Sequence, residues 1–150
     1  MNAPADRADV LVIGGGPAGA STSYWLAKAG VRVVCVERKT FPRDKTCASG
    51  LSPGGIQCLK ELGVYGEVEP HSYRIQGIRL VTPGGHDSWQ SAGTAAEAIV
   101  CQRRVFDHIL LKKAQARGVR FIPNFHAVEL MRDDGRVRGV VGQDGAKIQA

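Results

Sequence analysis

Residues 9–19 read Asp-Val-Leu-Val-Ile-Gly-Gly-Gly-Pro-Ala-Gly, and this stretch constrains the chain more than any other. Val10–Ile13 is short, apolar and rich in β-branched residues, the composition of a buried strand. It runs directly into Gly14-x-Gly16-x-x-Gly19, with Pro17 at the position that opens a helix. Gly14 permits a tight turn after the strand. Gly16 has no Cβ, so an anionic group can approach its backbone. Gly19 lets the helix pack close to the strand. The unpaired N–H groups and the positive end of the helix dipole then face phosphates. Residues 31–36 form the next apolar run, and Glu37 closes it. A carboxylate there can accept hydrogen bonds from ribose hydroxyls. Strand, glycines, helix, strand and acid in this order predict a βαβ unit that binds a dinucleotide; a glycine-rich turn binding nothing leaves Glu37 as coincidence.

With 150 residues the chain has room for one domain with a core. Apolar residues make up 43% and charged residues 23%, both ordinary for a folded domain, and neither points to disorder. No apolar run approaches the roughly 20 residues of a membrane span, and the N-terminus has no signal core, so a cytoplasmic location is expected. Cys35, Cys47, Cys58 and Cys101 form no close pair, which argues against a disulfide framework or a zinc site. His71, His86, His108 and His126 are scattered, so no metal is expected. The 20 basic and 14 acidic residues leave a net charge of +6. The basic residues occur singly or in pairs without interleaved aromatics, so nucleic acid is not an expected partner. An anionic cofactor or a solvated surface accounts for the excess equally well.

Residues 1–8 read as a flexible leader. A helix over 17–29 carries a core-facing stripe of Ala18, Thr22, Trp25, Leu26 and Ala29, with Gly30 as its stop. Residues 38–55 form a long loop rich in Gly, Pro and charge. Ser52 caps a helix over Pro53–Leu62 that ends at Gly63. Residues 74–82 alternate as a strand, Pro83-Gly84-Gly85 turn, and a second strand follows over 86–91. Residues 95–101 are ambiguous. Residues 103–117 form an amphipathic helix with Phe106, Ile109, Leu110 and Ala114 on one face, and Asp107 toward its N-terminus as the dipole favours. A third sheet strand covers 119–122. Residues 127–131 and 137–141 flank Arg132-Asp133-Asp134-Gly135 as a hairpin, and 146–150 start another strand. Such a sheet lacks partners at its far edge, so the chain is expected to be the N-terminal part of a longer fold.

Three further runs carry a family resemblance: Pro42-Arg43-Asp44-Lys45-Thr46-Cys47-Ala48-Ser49-Gly50-Leu51, then Arg103-Arg104-Val105-Phe106-Asp107, then the helix leading to Gly118-Val119. Over essentially its whole length the chain resembles the N-terminal part of the FAD-dependent geranylgeranyl reductase family, within the p-hydroxybenzoate hydroxylase-like flavoproteins. The resemblance implies an α/β fold, a Rossmann-like FAD/NAD(P)-binding βαβ domain with a parallel sheet and an added β-hairpin region. It implies that residues 1–150 are the N-terminal portion of the FAD-binding domain. The substrate domain and the rest of the FAD domain would lie outside them. FAD is the implied cofactor, with NAD(P)H as candidate reductant. Gly14, Gly16, Pro17, Ala18, Gly19, Glu37 and Arg38 are the expected contacts to its ADP half.

Arg103 is implied to reach the cofactor, since a guanidinium offers a fork of donors to phosphate oxygens, and Arg104 is the competing choice. Cys47 is implied to lie near the flavin, or else to be a small packing residue. Ala48 stands where the family run has glycine, and alanine tolerates positive φ poorly. The implied reaction is reduction of C=C bonds in an isoprenoid chain, with a lipid-like substrate and peripheral membrane contact. The alternatives are an FAD-dependent aromatic monooxygenase or halogenase, a nicotinamide dehydrogenase, and a truncated dinucleotide-binding module without activity of its own.

Overall fold

Residues 8–91 and 98–150 are described by the computed structural model. In chain order the elements are β1 (Val10–Ile13), α1 (Pro17–Lys28), β2 (Val33–Val36), β3 (Gly50–Leu51), α2 (Pro53–Leu62) and α3 (Tyr65–Val68). After a short 3-10 turn come β4 (Ser72–Arg74), β5 (Gly77–Val81), β6 (Asp87–Ser91), β7 (Ile99–Cys101) and α4 (Arg103–Ala116). The chain ends with β8 (Arg120–Ile122), β9 (Ala127–Asp133), β10 (Arg136–Gly142) and β11 (Lys147–Gln149). Two units emerge: the chain up to Arg43 together with Asp107–Ala150, and Asp44–Phe106.

The first unit is built on a parallel sheet in the order β1-β2-β8. All four residues of β2 are buried, as a central strand covered on both faces requires. Its side chains alternate between the faces. Val34 and Val36 join Phe125, Val140 and Ile148 on one side, beneath the antiparallel sheet β11-β10-β9. Val33 and Cys35 join Ala114 and Val119 on the other, with Tyr24, Leu26 and Ala27 of α1 packed against them. Ala8, grouped with the leader in the sequence, is buried, and its N–H donates to the Gln149 carbonyl at 3.3 Å. Residues 1–7 lie outside the described residues. The β9–β10 hairpin turns through Asp134 and Gly135, both at positive φ (49° and 75°), which a two-residue hairpin loop of the I′ type needs.

The buried face of α1 differs from the expected stripe. Ala20 and Ser23 are wholly buried, whereas Ala18, Thr22 and Ala29 are exposed and Trp25 is 41% exposed. A helix that approaches a sheet closely needs small residues at the contact, so the bulkiest side chain is turned outward. Trp25 is covered instead by the Lys28 ammonium, 4.4 Å from its ring centroid.

In the second unit, β3, β7 and β4 form an antiparallel sheet with β7 in the centre. The Ser52 hydroxyl accepts the Gly55 N–H at 3.3 Å at the start of α2, and Gly63 closes it at φ 67°. The strand expected over 74–82 is shorter: β5 covers Gly77–Val81 and pairs with β6, while Arg74 ends β4, which pairs with β7. Of the ambiguous run 95–101, the first three residues lie outside the described ones and Ile99–Cys101 is β7. Cys58 is exposed, while Cys101 is buried.

Candidate functional site: the glycine turn and Glu37

The site in the first unit begins where β1 ends. Gly14 has φ +103°, a conformation that L side chains rarely adopt, and its N–H donates to the Val36 carbonyl at 2.8 Å. Gly16 is the N-cap of α1, with Pro17 at the first helical position and no side chain capping the helix. The first turn carries no acidic residue, which leaves the dipole and the leading N–H groups open to an anion. Gly19 sits against the turn itself: a Cβ there would lie 1.8 Å from the Gly14 carbonyl oxygen. Gly16, at φ −71°, needs no special backbone freedom, so its missing Cβ matters only for what approaches from outside.

Glu37 is fixed from all sides. Its N–H donates to the Ile122 carbonyl and its carbonyl accepts the Phe125 N–H, both at 3.0 Å. Its side chain is 8% exposed. One carboxylate oxygen, Oε2, accepts the Gly15 N–H and the other, Oε1, accepts the Lys39 N–H, each at 3.0 Å. Each oxygen keeps one further acceptor position, which suits two neighbouring hydroxyls. A cavity of about 190 Å³ opens beside it, lined by Gly14, Val36, Glu37, Arg38, Phe125 and His126, among others. The His126 ring is held through Nδ1 by the Gln143 side-chain oxygen at 2.9 Å. Arg38 and Ala18 are exposed. An uncapped helix start, a backbone without Cβ beside it and a nearly buried carboxylate at a small cavity fit the ADP half of a dinucleotide.

Three residues around this site were not assigned to it from the sequence. Gly15 is buried, and a Cβ on it would stand 3.2 Å from the Phe121 ring and 3.4 Å from the Phe41 ring. Arg43 lies 3.0 Å from Asp107 and 3.9 Å from Glu37. Asp107 is wholly buried rather than serving the helix dipole at the surface. Arg43 was legible only as part of a family-like run, and nothing local in sequence marks it as the partner of Asp107. Cys35 is also interior: burial pushes its thiol up to about 11, so it stays protonated at neutral pH. His108, on α4, is pushed below its ordinary value by burial and then by Lys112.

Arg103 and Cys47 belong to the second unit. Arg103 is partly buried and lines a groove of about 460 Å³ with Lys45, Thr46, Ser49, Gln102 and Arg104. Arg104 is paired with Asp44 at 3.2 Å. Cys47 is exposed and does not line this groove. The positive φ in this loop falls on Ser49 (61°) and not on Ala48, so alanine in place of glycine meets no backbone penalty. Among the described residues, no three His, Cys, Asp or Glu side chains cluster to hold a metal ion.

A three-stranded parallel sheet with a glycine turn, an uncapped helix and an acid at the end of the second strand defines a dinucleotide-binding domain. Residues 7–149 match the family model of the FAD binding domain, and the chain belongs to that family. The menaquinone reductase of Mycobacterium tuberculosis (strain H37Rv) is 33% identical over 146 residues, covering 95% of this chain and 36% of the relative. The digeranylgeranylglycerophospholipid reductase of Sulfolobus acidocaldarius is 33% identical over 136 residues, covering 89% and 29%. The chain thus spans about a third of the length of the curated relatives it matches. Among solved structures, a geranylgeranyl bacteriochlorophyll reductase-like protein of Thermoplasma acidophilum superposes with a TM-score of 0.79 at 24% identity over 96% of this chain and 37% of that one. A flavin-dependent brominase gives 0.81 at 24% over 95% and 35%. At that identity the likeness concerns the fold.

No described helix is long and apolar enough to cross a membrane.

Proposed function

We propose that this chain supplies the ADP-binding part of an FAD-dependent oxidoreductase that reduces C=C bonds of an isoprenoid chain. The observation that carries FAD binding is Glu37, whose carboxylate is held by two backbone N–H groups beside the glycine turn and retains acceptor positions toward the cavity. The reductase reading is supported by relatives named digeranylgeranylglycerophospholipid reductase and menaquinone reductase. Two-electron reduction is the chemistry that FAD supplies when bound. The residues of this chain hold and orient it: the N–H groups at the start of α1 take the pyrophosphate, Glu37 takes the ribose, and Arg103 takes a phosphate or ribityl oxygen. NAD(P)H is the proposed reductant, and a lipid-borne substrate would be met in the cytoplasm at a membrane surface.

The full-length protein, given FAD, a chemical reductant and a prenyl lipid without oxygen, is expected to add two hydrogens per reduced double bond, read by mass spectrometry. Product that forms only in air and carries an oxygen or halogen atom would replace the reductase with a monooxygenase or halogenase. A second expected result concerns the cofactor map. Glu37→Ala weakens FAD binding by about 1–3 kcal/mol, the worth of charge-assisted hydrogen bonds. Unchanged FAD titrations would remove Glu37 from the site.

A further inference from the structure

We infer that Arg43 is a positioning residue for the ribose-binding carboxylate, holding Glu37 in its binding rotamer through a buried charge triad with Asp107. This rests on the reading that Glu37 binds the cofactor ribose. Three charged side chains meet away from solvent: Glu37 at 8% exposure, Arg43 at 11% and Asp107 at 0%. Two carboxylates buried near one another repel, and a guanidinium between them removes the conflict. Arg43 Nη1 stands 3.0 Å from Asp107 Oδ2, and Nη2 stands 3.9 Å from Glu37 Oε2. Arg43 Nη1 makes no aligned hydrogen bond, so charge holds this contact more than donor direction does.

Arg43 is itself locked in place. Its guanidinium carbon lies 4.8 Å from the Phe41 ring centroid, and Phe41 meets Phe121 edge to face at 5.6 Å. The same two rings enclose Gly15, whose N–H is held by Glu37 Oε2 at 3.0 Å. The contacts therefore close a circuit: Gly15 to Glu37, Glu37 to Arg43, Arg43 to Phe41, and Phe41 back to Gly15. Removing the cation opens the circuit at its charged corner. Glu37 is then left with no counter-charge beside it, and its carboxylate turns toward solvent. The ribose loses its acceptors although the glycine turn and the phosphate site remain.

The test reads ribose recognition apart from stability. Calorimetric titrations of the cofactor-free, full-length protein compare ADP with 2′-deoxy-ADP, which differ only at a hydroxyl expected on Glu37. The unsubstituted protein is expected to prefer ADP by about tenfold or more, as a charge-assisted hydrogen bond implies. In Arg43→Met the preference falls to within about twofold of unity, while ADP still binds through its phosphates. Arg43→Lys keeps a cation and retains a preference above about threefold. The double variant Arg43→Met/Asp107→Asn removes the buried Asp107 charge together with its partner. It decides the same comparison should Arg43→Met fail to fold, and it too is expected to lose the preference. A folded Arg43→Met or double variant that keeps the full ratio overturns the inference and makes Arg43 purely structural. No ADP preference in the unsubstituted protein instead overturns the ribose role of Glu37, on which the inference depends.

Discussion

Gly19→Ala is expected to destabilise the protein by about 1–3 kcal/mol, the range for forcing atoms into a filled interior, with FAD affinity falling alongside. The added methyl would stand 1.8 Å from the Gly14 oxygen, 3.0 Å from its carbonyl carbon and 3.3 Å from a Val12 methyl. Two of these are backbone atoms and cannot swing aside as a side chain would. The turn cannot retreat either, because the Gly14 N–H is tied to Val36 at 2.8 Å and Gly14 holds φ +103°. Helix α1 must therefore move away from β1, carrying its leading N–H groups off the phosphate position. Urea unfolding and FAD titration measure the two effects. Gly54→Ala is the control: the nearest atom to its new methyl is the Ser52 hydroxyl at 3.9 Å, and alanine favours a helix over glycine. Equal stability loss in both variants would show that the close contact at Gly19 is not what matters.

The second large effect is Asp107→Ala, expected to cost about 3–5 kcal/mol because it strands a buried guanidinium. Burial decides this more than distance. The Arg79–Asp87 pair is shorter, at 2.6 Å against 3.0 Å for Arg43–Asp107, but its side chains are 65% and 44% exposed. Solvent screens such a pair, so Asp87→Ala is expected to leave the denaturation midpoint unchanged. A small effect at Asp107, comparable with that at Asp87, would mean that Arg43 finds another partner or water.

Much of the site was legible because its parts lie close together along the chain. The strand Val10–Ile13, the turn at Gly14, the helix opened by Pro17 and the strand ending before Glu37 each follow from local composition. The same holds for the Ser52 cap and the Asp134-Gly135 turn, whose backbone demands are local. The readings that changed depended on partners distant in sequence. Trp25 seemed interior by hydrophobicity, but the closeness of α1 to its sheet selected Ala20 and Ser23 for the contact. The alternating run over 74–82 narrowed to Gly77–Val81, the part that β6 pairs with, and Arg74 joined β4 against β7.

From its residues alone the chain specified a dinucleotide-binding βαβ unit and the identities of its glycines and its acid. Turn geometry, helix starts and strand periodicity are written in neighbouring residues. The tertiary structure decided how that acid is held. It showed Glu37 accepting two backbone N–H groups, with Arg43 between it and Asp107. A buried charge is tolerated only where a counter-charge meets it in space, and which residues meet is a property of the folded chain.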